Sequence, residues 1–389
     1  MKRFDVCIVG AGLGGLQCAR LLSREGLSVL LVDRKRSLTE SVHTTGIFVR
    51  RTLEDFDLPE DCLGPPVRRV VLYSPRRRAL KLESPLDEFR VGRMGELYQR
   101  FLDEAVEAGA EWWPSTRYVG IETESDSCSI LHLETNGLTR SVEARFIVGA
   151  DGAQSRVARD LGLDSNREWI VGVEDVFHHP PDKSAEPVFH CFMDSSLAPG
   201  YIAWVVQDGE ETHVGVGGYA KDFDAASALE KFRASLKGTI DLEALKRTER
   251  RGGRIPVGGV LRRIANERGL LVGDAAGAVS PLTAGGLDPC MRLSSLAADV
   301  ISRFLSTGET TELGRYSGQE FRSRFVSRIW MRRAISLVRQ PLLLEACCAV
   351  MRLPLFKHLA WHVFFGRGSF PDVQKRGATT ELSPRKALT

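Results

Sequence analysis

Residues 4–9 form a short, mainly apolar run rich in β-formers, which predicts a buried strand. Glycines follow at once. From 16 to 25 the apolar positions take helical spacing, with Gly26 as the stop. Residues 27–32 return to a strand pattern that ends on Asp33. A helical face then recurs at Leu97, Phe101, Leu102, Ala105 and Val106, closed by Gly109. Strand patterns at 117–122, 129–135 and 141–148 follow it, the last running into Gly149-Ala150-Asp151-Gly152. Four more occupy 169–177, 188–193, 201–207 and 212–217, and residues 222–236 read as a helix. A buried strand at 270–272 and a long apolar-periodic helix at 287–305 complete this part. Beyond it, Phe321, Phe325 and Ile329 make one helical stripe and Arg324, Arg328 and Arg332 another, and Pro341 and Pro354 each open a short helix.

The strand-glycine-helix-strand-acid order gives the first chemistry. Gly10, Gly12 and Gly15 satisfy G-x-G-x-x-G between the first strand and the first helix. In that setting the first glycine permits a tight turn, the second lets backbone approach a pyrophosphate, and the third lets helix and strand pack closely. The helix N-terminus offers partial positive charge to the phosphates. Asp33 can accept hydrogen bonds from a ribose diol and disfavours a 2′-phosphate, so the site suits FAD or NAD better than NADP.

A second glycine-rich segment lies far downstream. Gly273-Asp274-Ala275-Ala276-Gly277 leads to Pro281-Leu282-Thr283-Ala284-Gly285-Gly286-Leu287 and then to the long helix. Asp274 can bond a ribityl hydroxyl, paired glycines let bare amides approach a flat ring, and the helix start can stabilise negative charge on it.

Composition adds exclusions. With 389 residues, 43% hydrophobic and 26% charged, the chain reads as a globular enzyme of two or more domains. A net charge of +3 does not point to nucleic acid. The eight cysteines form no CxxC pair, which argues for a reducing compartment and against a disulfide framework or zinc site. His358 and His362 have i, i+4 spacing but no third ligand, so no metal is expected. The N-terminus enters a strand directly, leaving no room for a signal peptide, and no apolar run is long enough to span a bilayer. Charge is uneven: between Glu312 and Arg376 twelve Lys and Arg stand against four acids. Such helices suit either packing with a solvated basic face or contact with an anionic membrane surface.

Three motifs now stand in order: Gly10–Gly15, a "DG" segment from Gly149 to Arg156, and the "GD" segment from Gly273 to Gly277. In this order and spacing the chain resembles FAD-dependent oxidoreductases of the aromatic-hydroxylase fold. Within that class, the segment 273–287 and Pro199-Gly200-Tyr201-Ile202-Ala203-Trp204-Val205-Val206 most resemble the geranylgeranyl reductase family. The chain departs from it in one loop. Many members carry a cysteine before the loop glycine, whereas this chain reads His43-Thr44-Thr45-Gly46-Ile47.

The resemblance implies an α/β fold: a Rossmann-like FAD-binding domain (1–160 with 250–310) and an inserted antiparallel-sheet substrate domain (165–250). A basic helical region (311–370) and a disordered tail (377–389) follow. It implies FAD contacts at Gly10, Gly12, Leu13, Gly14, Gly15, Asp33 and Arg34. Further contacts are implied at Gly46, Arg93, Asp151, Gly273, Asp274, Gly285, Gly286 and Leu287. Phe192, Tyr201, Trp204 and Pro281 are the implied pocket residues. The implied reaction is reduction of a C=C bond in a prenyl or other hydrophobic substrate by hydride from reduced flavin. The proton donor is unassigned, and the electron donor is NAD(P)H or a ferredoxin-like carrier. A flavin monooxygenase is the alternative, and a membrane-bound redox sensor without turnover a third reading. The expected location is the cytoplasm, with peripheral contact at the inner face of a membrane through the basic helices and with no nucleic-acid partner.

Overall fold

The structure is a computed structural model, and it describes residues 1–373 except 41, 126–127, 179–185, 239, 241, 243–244 and 367. The expected disordered tail (377–389) lies outside the described residues.

Strand Lys2–Val9 sits in the middle of an eight-stranded sheet, parallel to Val29–Val32 on one side and to Leu138–Gly149 on the other. Glu111–Trp113 extends one edge in parallel and Gly269–Leu271 the other. Leu138–Gly149 changes character along its length. Its exposed start pairs antiparallel with Cys128–Thr135, while its last four residues are buried beside Lys2–Val9. Parallel strands need cover on both faces. The helix Leu13–Arg24 covers one of them, packed against helices Met94–Glu107 and Leu287–Thr307. Arg292, fully buried in the long helix, is held by Asp55 at 2.6 Å and Asp288 at 2.9 Å, so its charge is paired on both sides.

The second sheet has seven strands. Their order is Lys246–Pro256, Trp169–His178, Glu211–Gly218, Ala203–Gln207, Val188–Phe192, Arg69–Tyr73 and Ala79–Glu83. Two points correct the sequence reading. The resemblance puts residues 69–83 in the first domain, yet they extend the second sheet, because Arg69–Tyr73 pairs with Val188–Phe192. That pair is parallel, so the sheet is mixed rather than purely antiparallel. A local alternating pattern cannot say which distant strand it will meet. The edge strand Lys246–Pro256 was also missed. Its Lys-Arg-Thr-Glu-Arg-Arg start has no apolar alternation, and exposed charge of this kind protects a sheet edge from further pairing.

The C-terminal region is helical: Gly318–Ser323, Val326–Leu337, Pro341–Met351 and Pro354–Phe365. Phe321, Phe325 and Ile329 are buried against the main core, as a packed stripe requires. The arginine stripe is not uniformly solvated. Arg324 stacks on Phe370 at the surface, whereas Arg332 is only 4% exposed. Among the described residues no helix is long and apolar enough to cross a membrane.

Candidate active site

One cavity of about 1310 Å³ is walled by both sheets, the glycine-rich turns and the C-terminal helices. The turn at Gly10–Gly12 follows the central strand. Gly10 has φ +106°, and a Cβ there would strike the Ala150 backbone. A Cβ on Gly12 would meet no protein atom within 4 Å, so this glycine leaves cavity space bare. Asp33 pins the turn: its Oδ2 accepts from Ala11 N at 2.7 Å and its Oδ1 from Lys35 N at 2.8 Å.

The two later motifs meet through Asn166, whose Nδ2 donates to Ala153 O at 3.1 Å and to Asp274 O at 2.8 Å. Asp151 caps the following helix, its Oδ2 accepting from Arg156 N and Val157 N. Its Oδ1 is buried with no partner among the described residues, and burial raises its carboxyl pKa. Asp274 faces the cavity, and desolvation pushes its carboxyl up to about 6. The loop that follows is closed by Ser280 N donating to Gly285 O, and Tyr201 reaches across from the second sheet to donate its hydroxyl to Thr283 O at 2.7 Å.

Between these walls lies a buried polar chain. Thr45 Oγ1 donates to Glu174 Oε2 at 2.6 Å, and Trp204 Nε1 donates to the same oxygen at 3.3 Å. Glu174 Oε1 lies 3.6 Å from His213 Nδ1, and His213 Nε2 lies 3.4 Å from Asp208 Oδ2. Glu174, His213 and Asp208 are all under 5% exposed. Burial opposes charge on the imidazole, yet the two carboxylates outweigh it and raise the His213 pKa to about 9. Although burial works against it, His213 in turn keeps the Glu174 and Asp208 carboxyls below the usual carboxylate range. Arg251 approaches Glu174 Oε1 at 3.8 Å and donates to Thr44 O. The chain can therefore hold a proton within reach of Thr45 at the cavity wall.

Most of the residues singled out from sequence come together here. Gly10, Gly12, Leu13, Gly14, Asp33, Arg34, Gly46 and Asp151 line the cavity. So do Gly273, Asp274, Gly285, Gly286 and Leu287, with Tyr201 and Trp204 on the opposite side. Four do not. Gly15 packs on the Gly10 carbonyl. Arg93 turns outward to Glu210 at 2.6 Å and to Asp61 O at 2.8 Å, so its guanidinium is neutralised at the surface, and its helix sends Tyr98 to the cavity instead. Phe192 stacks on Tyr73 at 4.4 Å inside the second sheet's own core. Pro281 lies beside Gly259 rather than on the cavity wall.

The sequence reading missed Thr45 as a donor, Glu174, His213, Asp208 and Arg332. One signal was available. Glu174 and His213 interrupt otherwise apolar strand patterns, and a titratable side chain inside a buried run must find a partner. Cys290, behind the glycine loop, is buried with its thiol pushed up to about 12, which leaves it an inert apolar filler.

Comparisons place this geometry. Residues 3–332 match the sequence profile of the FAD binding domain family, and the chain belongs to that family. The digeranylgeranylglycerophospholipid reductase of Methanocaldococcus jannaschii is 25% identical over 315 residues, 79% of each chain. That of Methanopyrus kandleri is 29% identical over 352 residues, 83% of this chain and 88% of the other. The crystal structure of a geranylgeranyl bacteriochlorophyll reductase-like protein from Thermoplasma acidophilum superposes with a TM-score of 0.81 at 20% identity, covering 91% and 92% of the two chains. The chain is an FAD-dependent oxidoreductase distantly related to the geranylgeranyl reductases.

Proposed function

We propose that this member of the FAD binding domain family reduces carbon–carbon double bonds in a prenyl chain carried by a lipid. The observation that carries the reading is the extent of the cavity. The cavity lined by Gly12, Asp33 and Asp274 is lined also by the apolar side chains of Leu344, Met351, Phe356, Leu359, Val363 and Phe364. A long hydrocarbon suits so large a space with such a wall better than a compact polar substrate does. The names of the reductases from Methanocaldococcus and Methanopyrus agree with it.

Bound FAD would supply the electron pair, as hydride. The residues fit it. Bare space over Gly12 suits a pyrophosphate, the partnerless Asp151 Oδ1 suits a hydroxyl, and the Asp274 carboxylate suits a ribityl hydroxyl. Asp33 keeps lone pairs for a ribose beyond its two amide bonds. Arg34, Gly46, Gly285, Gly286 and Leu287 complete the cradle on this reading.

An isolated alkene takes hydride poorly, so a proton must arrive at the second carbon. Thr45 Oγ1 would hand over that proton and be recharged from Glu174, with protonated His213 as the store and Asp208 holding the imidazole in place. This relay occupies the loop where many members of the resembled family carry a cysteine. The electron donor is proposed to be NAD(P)H or a ferredoxin-like carrier.

Access for a lipid is proposed through the last two helices. Leu342, Leu355 and Leu359 are exposed there, Leu355 at 77%, beside Arg352 and Lys357. Apolar side chains within a cationic surround suit an anionic membrane surface, at the inner face of a membrane. The test is a single turnover. Reduced protein mixed without oxygen with a geranylgeranyl lipid is expected to reoxidise its flavin as double bonds disappear. Flavin that stays reduced until oxygen is admitted would overturn the reading.

A further inference from the structure

Arg332, on helix Val326–Leu337, lines the cavity yet is 4% exposed. It lies against two rings, 5.3 Å from the Tyr201 centroid and 5.0 Å from that of Tyr219. Its Nε donates to the Tyr219 hydroxyl at 3.1 Å. Its Nη2 is buried with no hydrogen-bond partner, and none of the ion pairs among the described residues includes Arg332. The contrast with Arg292 is direct. That equally buried guanidinium is met by two carboxylates, at 2.6 and 2.9 Å. A desolvated cation without an anion is costly, and ring faces compensate only part of that cost.

The rings also fix the plane of the fork. Tyr201 is tied to Thr283 O, and Tyr219 is pressed over Gly200, where a Cβ would meet the ring at 2.7 Å. With Nε committed to Tyr219, the terminal nitrogens remain for a ligand. A planar, always-charged fork matches an oxyanion in geometry and in charge.

We propose that Arg332 is an oxyanion subsite of the substrate cavity, holding a phosphate or carboxylate carried on the apolar substrate. It rests on the lipid reading only for the apolar chain; the anion contact is the chain's own chemistry. It selects substrates whose double bonds sit at a set distance from an acidic group, and it disfavours neutral hydrocarbons.

The test uses purified holoprotein and three probes followed by calorimetry: dodecyl phosphate, dodecanol and inorganic phosphate. Dodecyl phosphate is expected to bind at least about tenfold more tightly than dodecanol, as a charge-assisted hydrogen bond supplies. Arg332→Met is expected to erase that preference and leave dodecanol binding as it was, and Arg332→Lys to keep part of it. Inorganic phosphate is expected to compete with dodecyl phosphate in the wild type only. Equal binding of the two alkyl probes by the wild type, or an undiminished preference in folded R332M, overturns the subsite. Arg332-dependent binding of inorganic phosphate with no binding of dodecanol would retain the subsite and remove the apolar-chain reading.

Discussion

The hydroxyl of Thr45 donates to the carboxylate of Glu174 across 2.6 Å, joining residues 129 apart in the chain. The bond ties the loop before strand Ile47–Val49 to the second sheet, at the wall of the shared cavity. Thr45→Val removes the donor while keeping the shape, and Glu174→Gln removes the charge. Each is expected to lower reductive turnover by about a hundredfold or more, the usual weight of a positioned proton donor. Thr45→Ser should restore most of it. Steady-state rates beside the bound-flavin absorbance check this, because the flavin content should stay unchanged.

His213 predicts a pH step in stability. Its pKa rises from 6.5 to about 9 on folding, so its contribution is complete below pH 6.5 and is lost as the pH climbs through about 9. The shift corresponds to roughly 3 kcal/mol. Denaturant unfolding of the wild type from pH 6 to 10 should show that loss, and His213→Gln should lack the step. A nitrogen NMR signal of a neutral imidazole at pH 7.5 would contradict the assignment.

Asp274 predicts a trade between stability and cofactor affinity. Without cofactor its carboxyl is raised by desolvation from 3.8 to about 6, so its contribution to stability is lost as the pH rises from 3.8 through about 6 and stays lost above it. Asp274→Asn is expected to raise the melting temperature of the flavin-free protein at pH 8 and to leave it unchanged near pH 3.5. The same change should weaken FAD binding by about tenfold, as loss of one hydrogen bond to a charged acceptor would. Calorimetric scans and flavin titration measure the two effects.

The cavity was legible in the sequence where its parts are local. Glycine spacing, strand-to-helix order and the acid at Asp33 are set within about thirty residues, and the turn at Gly10–Gly12 needs nothing further. Pairings over long distances were not legible. The strands within residues 69–83 went unread, and Val188–Phe192, which Arg69–Tyr73 joins, lies over a hundred residues on. Arg93 and Arg332 exchanged their expected places for the same reason. Each sits where an amphipathic pattern permits either a surface pair or a buried contact, and only the packing of Glu210 and of Tyr219 decides between them.

Arg93 therefore gives a prediction by contrast. Its pair with Glu210 is part-exposed, so Arg93→Met should cost less than about 1 kcal/mol and leave FAD affinity as in the wild type. A tenfold loss of flavin on titration would instead return Arg93 to the cofactor.

The membrane reading rests on the last two helices. Leu342→Asp with Leu355→Asp places charge on an exposed apolar surface away from the cavity wall and is expected to abolish sedimentation with vesicles rich in phosphatidylglycerol. Wild-type binding should weaken as salt is raised, because part of it is electrostatic. Turnover of a short, dispersed substrate should persist in the double variant.

On the proposed function, the apolar wall of this cavity holds a prenyl chain for reduction. Mass spectrometry of the lipid after anaerobic turnover, with a chemical reductant regenerating the flavin, tests it most directly. The account predicts a product two hydrogens heavier for each double bond lost, formed without oxygen. A lipid recovered unchanged, and a product one oxygen heavier once air is admitted, would contradict it.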